Sequence, residues 1–142
     1  MRDHLLGLLL FFTLQLFSCK QDTPSGSLGK SERAEVENTI HARAYFEGDT
    51  VALHTNLDSL LEIAEFKRSI PLKWAYYQRM ADGFSMAFDG VNPRSDHYYR
   101  KAEDLVRNTR YDGLRQAGMI REGHYYFVYR EISKALPCFL AA

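Results

Sequence analysis

The chain has 142 residues, 46% hydrophobic and 25% charged, and 18 basic side chains balance 18 acidic ones. This ordinary globular composition excludes a disordered chain. The zero net charge excludes bulk attraction to a polyanion, so nucleic acid is not an expected partner. Charge is nevertheless uneven, acid-rich from Glu32 to Glu65 and base-rich from Arg94 to Lys134. Two solvated helix faces, or a contact between oppositely charged neighbouring units, would each account for it.

At the N-terminus, Arg2 precedes an apolar run from Leu5 to Phe17. The run is shorter than the about 17 to 25 residues that a spanning helix needs, but it fits the core of an export signal over residues 1–18. Leu16-Phe17-Ser18-Cys19 resembles a bacterial lipobox, with Leu three residues before the Cys and a small residue just before it. The resemblance implies cleavage before Cys19 and acylation of its thiol and new amino terminus. The membrane would then be reached through lipid, and several acyl chains anchor stably where a single one does not. Lys20-Gln21-Asp22 resembles the charged tripeptides that follow the lipid-bearing Cys in surface-sorted lipoproteins. A plain secretory signal is the alternative. Residues 19–31 are polar and rich in Gly and Ser, as a flexible tether is. With Cys19 acylated, Cys138 would stand alone, so no disulfide framework is expected.

From Ser31 on, the periodicity is helical. Val36, Ile40 and Ala44 recur four apart, predicting a first helix from Ser31 to about Glu47. Gly48-Asp49 breaks it. Leu53, Leu57, Leu60, Leu61 and Ala64 mark a second, strongly amphipathic helix. Pro71 suits the first turn of a third, Leu72 to Phe88. In Asp89-Gly90-Val91-Asn92-Pro93, Gly is expected to end that helix and Asn-Pro to cap and open the fourth, which runs to about Arg107. Asp112 could cap a fifth, to about Tyr129, and a sixth begins near Ile132. The prediction is an all-α domain over residues 32–142, made of three αα-hairpins without a strand. A compact bundle is the alternative arrangement.

Small and aromatic residues repeat at fixed spacing over the second half. Gly83, Met86, Ser95, Tyr99 and Ala102 each precede by forty positions Gly123, Tyr126, Ala135, Phe139 and Ala142. A fixed period of this size marks a repeat array. The pattern resembles the tetratricopeptide (TPR) hairpin, although a TPR unit is 34 residues long. The resemblance implies a helical solenoid that binds proteins. It places Tyr77, Met80, Phe84 and Phe88 in a peptide groove, with Ala117, Ile120, His124, Phe127 and Val128 following in the next unit; the alternative is that several of them face the protein's own interior. A glycine inside a helix costs about 1 kcal/mol relative to alanine. Gly83 and Gly123 would offset that cost by letting the next helix approach.

Signatures of chemistry are missing from the sequence: it has no HExxH, GxGxxG, GKS/GKT or GxSxG. Ser27-Leu28-Gly29-Lys30 matches SxxK only formally, since it lies in the tether. His41, His54, His97 and His124 share no ligand spacing, and Glu62 with Glu65 fits a solvated face. No cofactor, metal or catalytic residue is therefore expected in this chain. Because an apolar helix stops at Phe139-Leu140-Ala141-Ala142 without a polar cap, the chain is expected to be the N-terminal piece of a longer protein. The leading expectation is an exported, lipid-anchored module that binds a protein or peptide. The alternative is the input region of a longer signalling protein, such as a TPR-containing histidine kinase or helix-turn-helix regulator.

Overall fold

The computed structural model describes residues 28–39 and 50–142. The export signal, Cys19, most of the tether, His41 and the Gly48-Asp49 break lie outside them. Within the described residues all regular structure is helical: α1 Lys30–Thr39, α2 Thr50–Phe66, α3 Ile70–Phe88, α4 Pro93–Val106, α5 Asp112–Val128 and α6 Ile132–Ala141.

Local chemistry accounts for most of the boundaries. Ser69 caps α3, its hydroxyl accepting from the Leu72 amide at 3.3 Å, and Pro71 occupies the first turn, where its missing N–H costs nothing. The turn after α3 departs from expectation in one respect. The left-handed residue is Asp89 (φ 44°), one place before Gly90. Asp tolerates that conformation better than most non-glycine residues. Its amide donates to Met86 O, and the Gly90 amide donates to Ser85 O. Asn92 is the cap of α4 and accepts from the amides of Arg94 (3.1 Å) and Ser95 (3.0 Å). Its own amide group donates to Phe84 O, Gly90 O and Ser95 Oγ, which ties the turn to both helices. Tyr111, not Asp112, holds the cap position of α5, without a side-chain bond. Asp112 instead sits in the first turn, where a carboxylate complements the helix dipole. Arg130, at φ 62°, makes the sharp connection into α6, and Pro137 lies inside that helix.

Helix α3 is the hub. It packs against α2 and α4 along its length and also meets α1 and α5. The main core gathers Val36 of α1, Leu53, Leu57 and Leu60 of α2, Leu72, Trp74, Met80 and Phe84 of α3, Val106 of α4 and Leu114 of α5. A second, smaller core joins Ala81, Tyr99, Tyr125, Tyr126 and Ala135. At about 25 cal/mol per Å² of apolar surface, burying these aromatic rings helps Leu114 of the main core to hold α5 in place.

Gly83 and Gly123 do different work. A Cβ on Gly83 would overlap the Leu53 side chain, so this glycine admits α2, the preceding helix. A Cβ on Gly123 would come within 2.8 Å of the Phe139 ring and 3.1 Å of Cys138, so this one admits α6, the following helix. The forty-residue spacing therefore carries no common facing. Helix α3 turns Ala81 to α4, where its carbonyl accepts from Ser95 Oγ at 3.0 Å. The counterpart of Ala81 is Arg121, which points back to Asp82 on α3. Only Gly123 answers the expectation that a glycine admits the next helix. Gly83 corrects it, because α5 is rotated relative to α3.

Candidate functional site

Two surfaces collect the residues that could bind something. The first is a cleft of about 540 Å³ between α2 and α4, lined by His54, Phe84, Pro93, Arg94, His97 and Tyr98. Helical spacing builds its α4 wall from Arg94, His97 and Tyr98, and Lys101 continues the same face three residues on, beyond the lining and over the Tyr98 ring. Its floor is aromatic. Phe84 stacks with Tyr98 (centroids 5.7 Å apart, planes 13°) and with Phe88 (6.3 Å, 13°). His54 meets Phe84 edge-on at 5.4 Å from α2, and His97 meets Tyr98 at the same distance.

Cations lie over these rings. The Arg94 guanidinium is 5.4 Å from the Phe84 centroid and 5.6 Å from Phe88. The Lys101 ammonium is 5.6 Å from Tyr77 and 5.7 Å from Tyr98. The negative face of an aromatic ring attracts a cation at such distances. Burial raises the Tyr76 phenol well above its ordinary range, and neighbouring Tyr98 and the Asp58 carboxylate push it the same way. The Tyr98 phenol is raised too, again chiefly by burial. Both stay neutral hydrogen-bonding groups at any working pH.

The second surface is an apolar face on α5 and α6. Ile120, Phe127 and Val128 of α5 are about half exposed, as are Ile132 and Leu136 of α6, and Leu140 is 79% exposed. Contiguous apolar side chains of this kind mark interaction sites on soluble domains. The residues forty positions earlier on α4 show what such a face receives. There Asn92, Asp96 and Tyr99 are covered by α5, through Tyr125 and Tyr126. Their counterparts are Ile132, Leu136 and Phe139.

The residues singled out in the sequence divide between these surfaces and the core. Gly83, Ser95, Tyr99, Ala102, Gly123, Tyr126 and Ala135 are buried in helix contacts. Met86 is half exposed, Phe139 is 42% exposed, and Ala142 is exposed. The groove residues do not form one groove. Met80 and Phe84 are fully buried, because α2 and α4 close over that side of α3. Tyr77 and Phe88 rim the α2–α4 cleft, while Ile120, His124 and Phe127 are on the separate open face of α5. The sequence reading missed Arg94, Lys101 and Tyr98 as a set. Their i, i+4, i+7 spacing was a usable signal, whereas the approach of His54 from α2 left none.

A thiol or metal centre finds little support here. Cys138 is partly buried, its sulfur donates to Lys134 O at 3.3 Å, and burial pushes its thiol up, away from the reactive thiolate. Among the described residues, no group of three His, Cys, Asp or Glu side chains is placed to hold a metal ion. No helix among them is long and apolar enough to cross a membrane. Comparison with protein-family models, with curated proteins and with solved structures gives no match for this chain.

Proposed function

We propose that this chain is an exported, lipid-anchored protein-interaction module built from TPR-like helical hairpins, working at the cell envelope. The observation that carries the reading is the open apolar face of α5 and α6. On α4 Tyr99 is buried beneath Tyr125 of α5, whereas its counterpart Phe139 meets solvent together with Leu136 and Leu140. An amphipathic helix laid into an apolar groove is a common mode of recognition. The lipobox resemblance at Leu16 to Cys19 supports the anchor, and the forty-residue spacing supports the repeat. In the second reading, the same face receives a following hairpin of one longer signalling protein.

Site-specific photocrosslinking in the native cell tests both. A benzophenone amino acid at Leu140 is expected to capture a protein, while one at exposed Arg107, just past the end of α4, captures none. An adduct of higher mass supports a separate partner, and a crosslink within one polypeptide supports the longer signalling protein. No product from Leu140 would defeat the reading. For the anchor, Cys19→Ala is expected to abolish incorporation of labelled lipid.

A further inference from the structure

We propose that the cleft between α2 and α4 binds an acidic peptide segment, its side-chain carboxylates held by Arg94 and Lys101 over the aromatic floor. This surface is separate from the open face of α5 and α6, and the inference rests on the interaction-module reading only in taking a polypeptide as ligand.

The argument starts from which cations are already satisfied. In the base-rich half, Arg107 pairs with Glu103 and Asp104, Arg115 with Asp112, Arg121 with Asp82, and Lys134 with Glu131. Arg100, Arg110 and Arg130 make no ion pair among the described residues, but only Arg94 and Lys101 lie over the rings of this cleft. Their contacts among the described residues are with ring faces, and neither makes an ion pair there. A guanidinium lying on a ring keeps its in-plane N–H donors at the edge, where a carboxylate can take two of them at once. Packing on Phe84, Phe88 and Tyr98 also restricts the side chains, so less freedom is lost on binding. The residues that line the cleft include no carboxylate, so an acidic ligand meets cations along α4 without a like charge on the lining.

Spacing sharpens the ligand. Arg94 and Lys101 are seven residues apart on one helix, about 10 Å along the axis. A polyproline II strand advances about 9 Å in three residues and returns to the same face. A Glu-x-x-Glu segment in that conformation places one carboxylate at each cation, with His97 between them. The cleft has room for the intervening side chains against Phe84 and Pro93.

The test uses the full chain in detergent and fluorescein-labelled peptides read by anisotropy. One peptide repeats Glu-Ala-Pro, and its control repeats Gln-Ala-Pro. The acidic peptide is expected to bind at least tenfold more tightly, and to weaken as salt rises. Charge reversal in Arg94→Glu with Lys101→Glu should remove that preference. Arg110→Glu, a reversal outside the cleft, should leave it. Phe88→Ala should weaken binding a few fold by taking one ring from beneath Arg94. Circular dichroism checks each variant, and Arg94→Gln serves if the double reversal unfolds. Equal binding of the two peptides, no binding of either, or equal loss with Arg110→Glu would overturn the proposal. Tighter binding of a single-stranded oligonucleotide than of the acidic peptide would overturn it in favour of a general anion site. None of these results bears on the crosslink from Leu140.

Discussion

Helices α4 and α6 carry related small and aromatic residues and meet different environments. Tyr99 is 3% exposed and donates a 2.8 Å hydrogen bond to Asp82, whereas Phe139, forty positions on, is 42% exposed. Each packs onto the helix before it. What separates them is α5, which lies across α4 and brings Tyr125 to within 5.1 Å of the Tyr99 ring. Burial is thus conferred by the neighbour that arrives, and a residue pattern alone does not guarantee it. The difference also orders the energetics: a side chain held from two sides should cost far more to remove than one held from one side.

Four changes would break or sharpen this contrast. The largest effect is expected from Tyr99→Ala, about 3 to 5 kcal/mol, against about 1 kcal/mol for Phe139→Ala, by urea unfolding. Equal losses would mean that α5 adds nothing to the burial of Tyr99. Next, Gly83→Val should cost about 3 kcal/mol, since Leu53 is enclosed in the main core and cannot retreat. Gly123→Val should cost nearer 1 kcal/mol, because Phe139 can swing toward solvent. The reverse order would show that the α5–α6 contact is the tighter one.

Smaller effects follow on the open side. Leu136→Glu with Leu140→Glu should change stability by under about 0.5 kcal/mol while removing most binding of an apolar dye. A large loss of stability would mean that this face is already covered. Least of all is Glu122→Gln. Burial, chiefly, and the nearby Glu103 and Asp96 carboxylates raise the Glu122 carboxyl above its ordinary range. A raised folded value means that the charged form is disfavoured in the native state. Stability is therefore lost as pH rises through that value, and Gln should recover less than about 1 kcal/mol at neutral pH but nothing in acid. A benefit independent of pH would point to packing instead.

The helices were legible because their signals are local. Leu53, Leu57, Leu60 and Ala64 recur at helical spacing, and Asn92-Pro93 opens α4 with its own side chain as cap. Facing was less legible. The sequence has the same forty-residue step from Gly83 to Gly123, yet one admits the helix before it and the other the helix after. Rotation of one helix about its axis leaves no mark on spacing. For the same reason the expected groove split. Met80 and Phe84, which the TPR resemblance places in a groove, are enclosed by α2 and α4. The cleft itself depends on side chains from two helices separated by α3, a pairing that no periodicity encodes.

Asp96 repays a closer look as a joint. Its one carboxylate accepts from the hydroxyls of both Tyr125 and Tyr126, each at 3.2 Å, while Tyr125 also receives the Asn92 amide at 2.8 Å. Two latches therefore share a single catch. Burial pushes the Tyr125 phenol up to about 12 and Tyr126 higher still, so neither latch loses its proton under ordinary conditions. Loss of the catch would leave Tyr126 without this partner and Tyr125 with the Asn92 backbone, so both contacts of α5 on α4 would loosen at once. The helix that carries part of the apolar face is thereby tied to α4 through one shared carboxylate.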